Sequence, residues 1–448
     1  HTAQVICYDL LLRSVFGKER EGHSMIFYSC AVKDPLRNVL ISRIETERIL
    51  MLRNQLVSYI YKIASDETDF TELLKKTINS FPPWNQERIQ SMLSVVRQSS
   101  PIEQLYFKTF TAYMLREMIN SKTGKHEDLY DYGFSALWAQ DLSVKEKSGT
   151  VFSELIWEKK DQNSLMFRVN PHKVSMNFRD GDPVVLYGIN QGVKSPCYTF
   201  LIKASFQSCY ANHVRIQMRN DWQKESYFET FDYFILEKDN LEFSHYALIN
   251  SLYDFLKATP RQKQSILGQI APVSSVADKD LSGDKAHQII QKAMAAEDYF
   301  IIQGPPGTGK TSKVIIGLIH ELIAKDNLPI VILAFTNKAV EEIIDRLRQN
   351  QIAFIRLGSR NTNDKSHISH ILDVQKPEES IRNLKTQRVF VSTVSTFHNE
   401  GHFLLQLIPK GTLIVDEASQ LLEPHLAGLC VRFDKWILIG DHFQLPAV

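Results

Sequence analysis

The chain has 448 residues, 44% hydrophobic and 23% charged, with 52 Lys and Arg against 51 Asp and Glu for a net charge of +1. That profile fits roughly two to four globular domains of about 100–200 residues each, and it excludes a chain-wide basic surface; any nucleic-acid site must be a local patch. The apolar runs fall well short of the 18 or so residues that span a bilayer, and no signal-peptide pattern is seen, so no membrane partner is expected. The five cysteines (Cys7, Cys30, Cys197, Cys209, Cys430) form no C-x-x-C pair, which points to a reducing compartment and away from a zinc site. Residue 1 is His and the chain stops at Val448 in an apolar segment, so both ends are expected to be cut from something longer.

Residues 1–43 open with a helical pattern, Val5, Tyr8, Leu11, Leu12 and Val15, ended by Gly17. A strand-like piece follows at residues 25–29. Residues 44–149 read as mostly helical. Ile49, Leu50, Leu52, Leu56, Ile60 and Ile63 form one face, Pro82-Pro83 breaks the region, and a helix from about Ile102 to Asn120 carries Leu105, Tyr106, Phe107, Phe110, Met114 and Leu115 as core. Residues 150–240 change character. Short apolar runs at 151–156, 165–169, 184–187, 197–202, 214–218 and 233–236, with a turn at Phe178-Arg179-Asp180-Gly181-Asp182-Pro183, suggest a small antiparallel β-barrel. Arg168, Lys173 and Arg179, interleaved with Phe167 and Phe178, form either a nucleic-acid face or a solvated barrel rim.

Residues 241–287 return to helix. From 288 to 448 strands and helices alternate, with strand candidates at 300–302, 330–334, 354–356, 389–393, 413–415 and 436–439. Such alternation means an α/β fold, a parallel sheet with helices on both faces, whose ligands sit beyond the carboxyl ends of the strands.

The motifs fall at those ends. Gly304-Pro305-Pro306-Gly307-Thr308-Gly309-Lys310-Thr311 fits G-x-x-x-x-G-K-[ST], between the strand at Tyr299–Ile302 and a helix bearing Val314, Ile315, Leu318, Ile319 and Leu322. The glycines let N–H groups converge on phosphates, and the helix N-terminus adds partial positive charge. Lys310 is expected to reach the β/γ-phosphates and Thr311 to hold Mg²⁺. Asp416-Glu417 follows an apolar strand: either it caps a helix, or Asp416 holds Mg²⁺ while Glu417 deprotonates an attacking water. Gln444, in Gly440-Asp441-His442-Phe443-Gln444, is a γ-phosphate contact or part of a polar turn. Thr336 or Asn337 either caps a helix or holds phosphates of a nucleic acid strand, and Thr393 and Ser395 offer a second set of hydroxyls at another strand end.

In this order, GPPGTGKT, AFTNKAVEEI, VSTVSTF, DEAS and GDHFQLPAV resemble the motifs of superfamily 1 helicases, closest to the 5′-to-3′ branch of Okazaki-fragment nuclease–helicases and nonsense-mediated-decay helicases. The resemblance covers about residues 300–448. It implies a P-loop RecA-like ATPase domain at 288–448, with Lys310, Thr311, Asp416, Glu417 and Gln444 serving ATP and Mg²⁺, and with Thr336, Asn337 and Thr393 touching single-stranded nucleic acid. The barrel at 150–240 is similar to the accessory barrel of that branch, with 44–149 as helical stalk and 241–287 as helical linker. Gln4 and Tyr8 make a Q-x-x-x-Y similar to the last motif of RecB-like nucleases, which marks 1–43 as the remnant of such a domain and favours DNA over RNA.

Two departures stand out. The family's adenine-reading Gln falls where this chain has Ala286 or His287, leaving Gln288 one or two residues away as the candidate. The second RecA-like domain, with its arginine finger, is expected beyond Val448, so this fragment alone is expected to bind nucleotide weakly and turn it over slowly. The reading is an ATP-dependent helicase or translocase on single-stranded DNA. The alternatives are an RNA helicase of the decay type and a nucleotide-gated scaffold without motor activity. The implied location is nuclear in a eukaryote, cytoplasmic and nucleoid-associated in a bacterium.

Overall fold

The computed structural model describes residues 1–17, 24–28, 35–66, 70–80, 82–124, 133–161, 163–170, 177–190, 199–218, 224–239, 245–274, 283–305, 308–358, 364–372 and 376–443. The chain divides into two compact units, His1–Phe70 with Leu115–Phe243, and Thr71–Met114 with Ser244–Val448.

The first segment is helix α1 (Thr2–Phe16), strands β1 (Ser24–Phe27) and β2 (Leu36–Val39), and helix α2 (Arg43–Ala64). α1 stops at Gly17, whose φ of 92° lies where glycine is favoured. β1 pairs antiparallel with β2 from Ser24↔Val39 to Phe27↔Leu36. The sequence did not signal β2, because half of its four residues (Leu-Arg-Asn-Val) are polar and it is too short to show a period. Ser42 caps α2 by accepting the Glu45 N–H at 3.2 Å. The apolar face expected on α2 is only partly covered, with Leu50, Leu52 and Leu56 exposed.

Helices α3 (Phe70–Thr77), α4 (Pro83–Gln98) and α5 (Pro101–Thr123) follow. Pro83 takes the first helical position of α4, where its missing N–H costs nothing. α5 buries Phe107, Met114 and Leu115 as expected, but Leu105 is 64% exposed and not core.

Short helices α6 (Ala136–Ala139) and α7 (Leu142–Ser148) lead to six strands: β3 (Val151–Asp161), β4 (Ser164–Arg168), β5 (Pro183–Ile189), β6 (Ile202–Tyr210), β7 (His213–Met218) and, after helix α8 (Glu225–Phe228), β8 (Tyr233–Lys238). They close into an antiparallel barrel in the order β3-β4-β7-β6-β5-β8. Alternate residues face inward: Leu165 and Phe167, Val184 and Leu186, Ala204 and Phe206, Val214 and Ile216, Phe234 and Leu236. The strand expected at 197–202 instead starts at Ile202, and residues 197 and 198 lie outside the described ones. Of the two readings of this face, nucleic-acid face or solvated rim, the first loses its aromatic rings. Phe167 is fully buried in the barrel, and the Phe178 ring packs against Phe152 and Phe206, so neither is free to stack on a base. Arg168 pairs with Glu158 at 3.8 Å, and Lys173 lies outside the described residues.

The second unit continues with α9 (His245–Lys257), α10 (Pro260–Ile266) and α11 (Lys285–Ala295). Then β9 (Tyr299–Gln303), α12 (Ile316–Lys325), β10 (Ile330–Ala334), α13 (Asn337–Gln349), β11 (Ile355–Arg356), α14 (Pro377–Thr386), β12 (Val389–Thr393), α15 (Val394–Leu407), β13 (Thr412–Asp416), α16 (Glu423–Cys430) and β14 (Lys435–Gly440) alternate. The six strands form one parallel sheet in the order β11-β12-β10-β13-β14-β9. Ile330, Ile332 and Ala334 join a core with residues of α11, α12 and α13. Val331 and Leu333 join the opposite core with residues of α14, α15 and α16. Both faces are therefore covered, as the sequence led us to expect. Among the described residues no helix is long and apolar enough to cross a membrane.

Candidate nucleotide and strand site

β9 and β14 end side by side. Gln303 pairs with Gly440, and the Gly304 N–H donates to the Gly440 carbonyl at 3.0 Å. Thr308 donates to the Pro305 carbonyl through its N–H at 3.4 Å and its hydroxyl at 2.7 Å, which tightens the loop. Gly309 has φ 83° and ψ 23°, a left-handed conformation that a side chain would strain. Its carbonyl accepts the Lys313 and Val314 N–H groups at 2.8 and 3.3 Å, opening a π-helical turn at Lys310–Ile315 that runs into α12. The first N–H groups of that helix have no partners within it and carry its partial positive charge, which suits phosphates. Pro306, Gly307 and Gln444 lie outside the described residues, as do the side chains of Lys310 and Thr311.

β13 lies beside β14 and ends in Asp416, which is 3% exposed. Its Oδ1 accepts the Glu417 N–H at 3.0 Å. Glu417 takes φ 54° and ψ 37°, costly for a residue with a side chain. That kink ends the strand and starts a 3₁₀ turn, Ala418–Gln420. Asp441, buried beyond β14, accepts the Phe443 N–H at 3.1 Å. Carboxylates at neighbouring strand ends offer the oxygen chemistry a hard cation such as Mg²⁺ takes, although among the described residues no three or more His, Cys, Asp or Glu side chains come together to hold one.

The candidates for strand contact occupy the other half of the same edge. Ala334 pairs with Thr393 on one side and Asp416 on the other. Thr336, two residues past Ala334, caps α13 by accepting the Ala339 N–H at 3.2 Å, and it is exposed with Asn337. Thr393 caps α15 by accepting the Thr396 N–H at 3.1 Å and donates to the Thr396 hydroxyl at 2.9 Å, while Ser395 is exposed. The capping half of the reading therefore holds for Thr336, and Thr393 proves to be a cap as well. Along the edge the order is Thr393, Thr336, Asp416-Glu417, Gly440-Asp441, Gln303-Gly304. Gln288 is engaged within its own helix start, donating to the Gly283 carbonyl at 3.0 Å. Sequence reasoning gave no role to Ser419 or Gln420, although both join this constellation.

An AAA domain family matches residues 282–388 and 373–448. The chain is similar to superfamily 1 nuclease–helicases. The DNA replication ATP-dependent helicase/nuclease DNA2 of Saccharomyces cerevisiae is 30% identical over 162 residues, 36% of this chain and 10% of that protein. The helicase/nuclease JHS1 of Arabidopsis thaliana is 30% identical over 186 residues, 41% of this chain and 14% of its own length. The DNA polymerase alpha-associated DNA helicase A of Schizosaccharomyces pombe is 27% identical over 246 residues, 44% of this chain and 36% of that protein. The chain thus spans a minor part of the curated relatives it matches. Among solved structures, an arterivirus nonstructural protein 10 helicase with DNA is 20% identical over 36% of this chain and 33% of its own, at a TM-score of only 0.22.

Proposed function

We propose that residues 1–448 belong to an ATP-dependent helicase or translocase acting on single-stranded DNA, within a nuclease–helicase. The observation that carries this reading is the single sheet edge on which a phosphate loop, two acidic residues and two hydroxyl-capped helix starts follow one another across adjacent strands. In this reading the loop from Gly304 to Thr311 cradles ATP, with Lys310 on the β/γ-phosphates. Thr311 and Asp416 would hold Mg²⁺, which when bound neutralises charge on the phosphate oxygens. Glu417 orients and deprotonates the attacking water, and Gln444 contacts the γ-phosphate. Thr336, Asn337, Thr393 and Ser395 hold backbone phosphates of the strand, and Gln288 is the candidate for adenine.

Residues 288–448 then act as a first RecA-like domain, and a second one supplies the rest of the ATP site. Residues 1–43 are the remnant of a nuclease domain, 44–149 the stalk, 150–240 the accessory barrel and 241–287 the linker. The relatives DNA2 and JHS1 are named for DNA replication, which supports DNA over RNA and a nuclear place in a eukaryote.

The test is ATP hydrolysis by the full-length protein with single-stranded DNA, RNA or no strand. Stimulation by DNA, with unwinding of a duplex bearing a single-stranded tail, is expected. Stimulation by RNA alone would replace this reading with a decay-type RNA helicase. Nucleotide binding without hydrolysis or unwinding would leave a nucleotide-gated scaffold.

A further inference from the structure

Arg356 ends β11, the strand at one border of the sheet, and it is only 2% exposed. Ile355 and Leu357 on either side of it belong to the core with α14, α15 and α16. Its pair partner Val391 belongs to the opposite core, so the Arg356 side chain points to the face that α13 covers. There Nη1 stands 2.7 Å from Oε1 of Glu341, in the second turn of α13, just beyond the Thr336 cap. The contact is a single approach of charges, since Nη1 makes no aligned hydrogen bond. The residues after Arg356 reach the start of α15. The Leu357 N–H donates to the Val391 carbonyl at 3.0 Å, which keeps the chain beside β12. Gly358 then takes φ 117°, and a Cβ there would stand 3.3 Å from Thr396 Cγ2. His367 Nδ1 accepts the Ser369 N–H at 3.1 Å, so Nε2 carries the proton and donates to the Gly358 carbonyl. Thr396 is the residue whose N–H Thr393 accepts in capping α15. One three-residue segment thus touches α13 through a side chain and α15 through its backbone.

We propose that Arg356 is a positioning residue for strand binding: its ion pair with Glu341 sets the start of α13 against that of α15, so that Thr336 and Thr393 meet one strand together. This rests on the reading of those threonines as strand contacts. The guanidinium is buried beneath the sheet edge, so it acts through the helix and not on the strand. Stability alone is a poor reason to keep it there, because a well-packed apolar side chain often serves a buried site as well as an ion pair does. What the pair adds is a tie between β11 and α13 that apolar contact does not direct. Glu341, whose side chain is 35% exposed, has contacts of its own besides this one. The tie is therefore assigned from the buried partner: among the described residues, Glu341 is the charged group that Arg356 meets.

The experiment uses the full-length protein with Arg356→Met, Arg356→Lys and Thr336→Asp. Affinity for a labelled single strand, affinity for a fluorescent ATP analogue, and ATP turnover without a strand are measured. Arg356→Met leaves behind a carboxylate that water can reach, so the fold is expected to survive. It is expected to weaken strand binding about fivefold, with nucleotide affinity and strand-free turnover changed less than about twofold. Arg356→Lys keeps the single charge and is expected to bind the strand within about twofold of the natural protein, because no two-pronged contact is lost. In the Thr336→Asp background Arg356→Met is expected to cost less than about twofold more, because the contact it positions is already gone. Unchanged strand affinity for Arg356→Met, an equal loss of strand and nucleotide, an equal loss for Met and Lys, or full additivity with Thr336→Asp would each overturn the inference. If Arg356→Met fails to fold, Glu341→Gln is the second variant. It keeps the shape and removes the charge, and it is expected to weaken the strand about threefold without weakening nucleotide; unchanged strand affinity overturns the inference. Strand affinity that survives Thr336→Asp refutes the strand-site reading, and this inference with it. A loss with Thr336→Asp but none with Arg356→Met refutes this inference alone.

Discussion

A hydroxyl that caps a helix can also meet a phosphate, and at Thr336 the two uses can be pulled apart. Its side chain accepts the Ala339 N–H, while the residue stays exposed at the carboxyl edge of the sheet. Thr336→Ala is expected to cost about 1 kcal/mol of stability through the lost cap. Thr336→Asp is the more informative change, because Asp caps as well as Thr but sets a negative charge where a strand phosphate is proposed to lie. It is expected to leave urea unfolding nearly unchanged and to weaken single-stranded DNA binding at least about tenfold by fluorescence anisotropy, the scale of losing a charge-assisted contact. Unchanged affinity would reduce Thr336 to a cap. The two sites thus differ in how their residues can be tested: Thr336 has a structural job that survives a charge change, whereas Glu417 sits on a strained backbone.

At the scale of elements, buried polar groups show which packing arrangements carry risk. Lys145 on α7 donates to the Glu237 carboxylate at 2.9 Å and to the Leu137 carbonyl at 3.3 Å, and Tyr187 also donates to Glu237. The two charged side chains are only 5% and 8% exposed. Lys145→Met would strand a buried carboxylate, so a loss of about 3–5 kcal/mol is expected in chemical unfolding; a loss under about 1 kcal/mol would show that the carboxylate finds another partner. α15 and α16 carry a second case. Burial holds His398 down at about 4, although its Nε2 meets the His425 carbonyl at 2.7 Å; the nearby His425 and Arg432 push the same way. An unfolded imidazole takes its proton near 6.5. Between these values the unfolded chain binds more protons, so stability should fall as pH drops from about 6.5 toward 4. His398→Gln keeps a donor and should flatten that part of the curve; the same slope in both proteins would refute the assignment.

The same elements show what the sequence makes legible. The strands of the parallel sheet, all but the edge strand β9 buried on both faces, read as continuous apolar runs, and their positions could be read to within a residue or two. β6 could not, because only Ile202, Ala204 and Phe206 alternate into the barrel core before a bulge between Phe206 and Ser208 breaks the pattern, and Tyr210 is exposed. Alternation also misled the reading of the Phe167 and Arg168 pair: on a barrel strand, neighbours point to opposite sides, so the ring goes to the core and the cation to water. In the candidate site, motif spacing revealed the loop, the acids and the caps. The Ser419 link to Asp441 was not legible, since it depends on two strands being neighbours that are distant in sequence, whereas the Gln420 contact with Glu417 is local.

For the molecule as a whole, charge constrains how a strand can be held. A net charge of +1 provides no general attraction for a polyanion. The groups proposed to hold the strand, Thr336, Asn337, Thr393 and Ser395, are uncharged, and the starts of α13 and α15 add only partial charges. Binding through such groups releases few counterions. For single strands the logarithm of affinity falls with the logarithm of salt concentration by about 0.7 per phosphate neutralised. The full-length protein should therefore lose affinity with a slope no steeper than about 2 between about 50 and about 200 mM salt, measured by anisotropy with a labelled single strand. A slope of about 5 or more would mean that lysines and arginines elsewhere carry the grip, with the exposed Arg168 side of the barrel as the first place to substitute. In that case Thr336→Asp would scarcely matter, so the salt titration and the residue-scale variant must agree for the sheet edge to be the strand site.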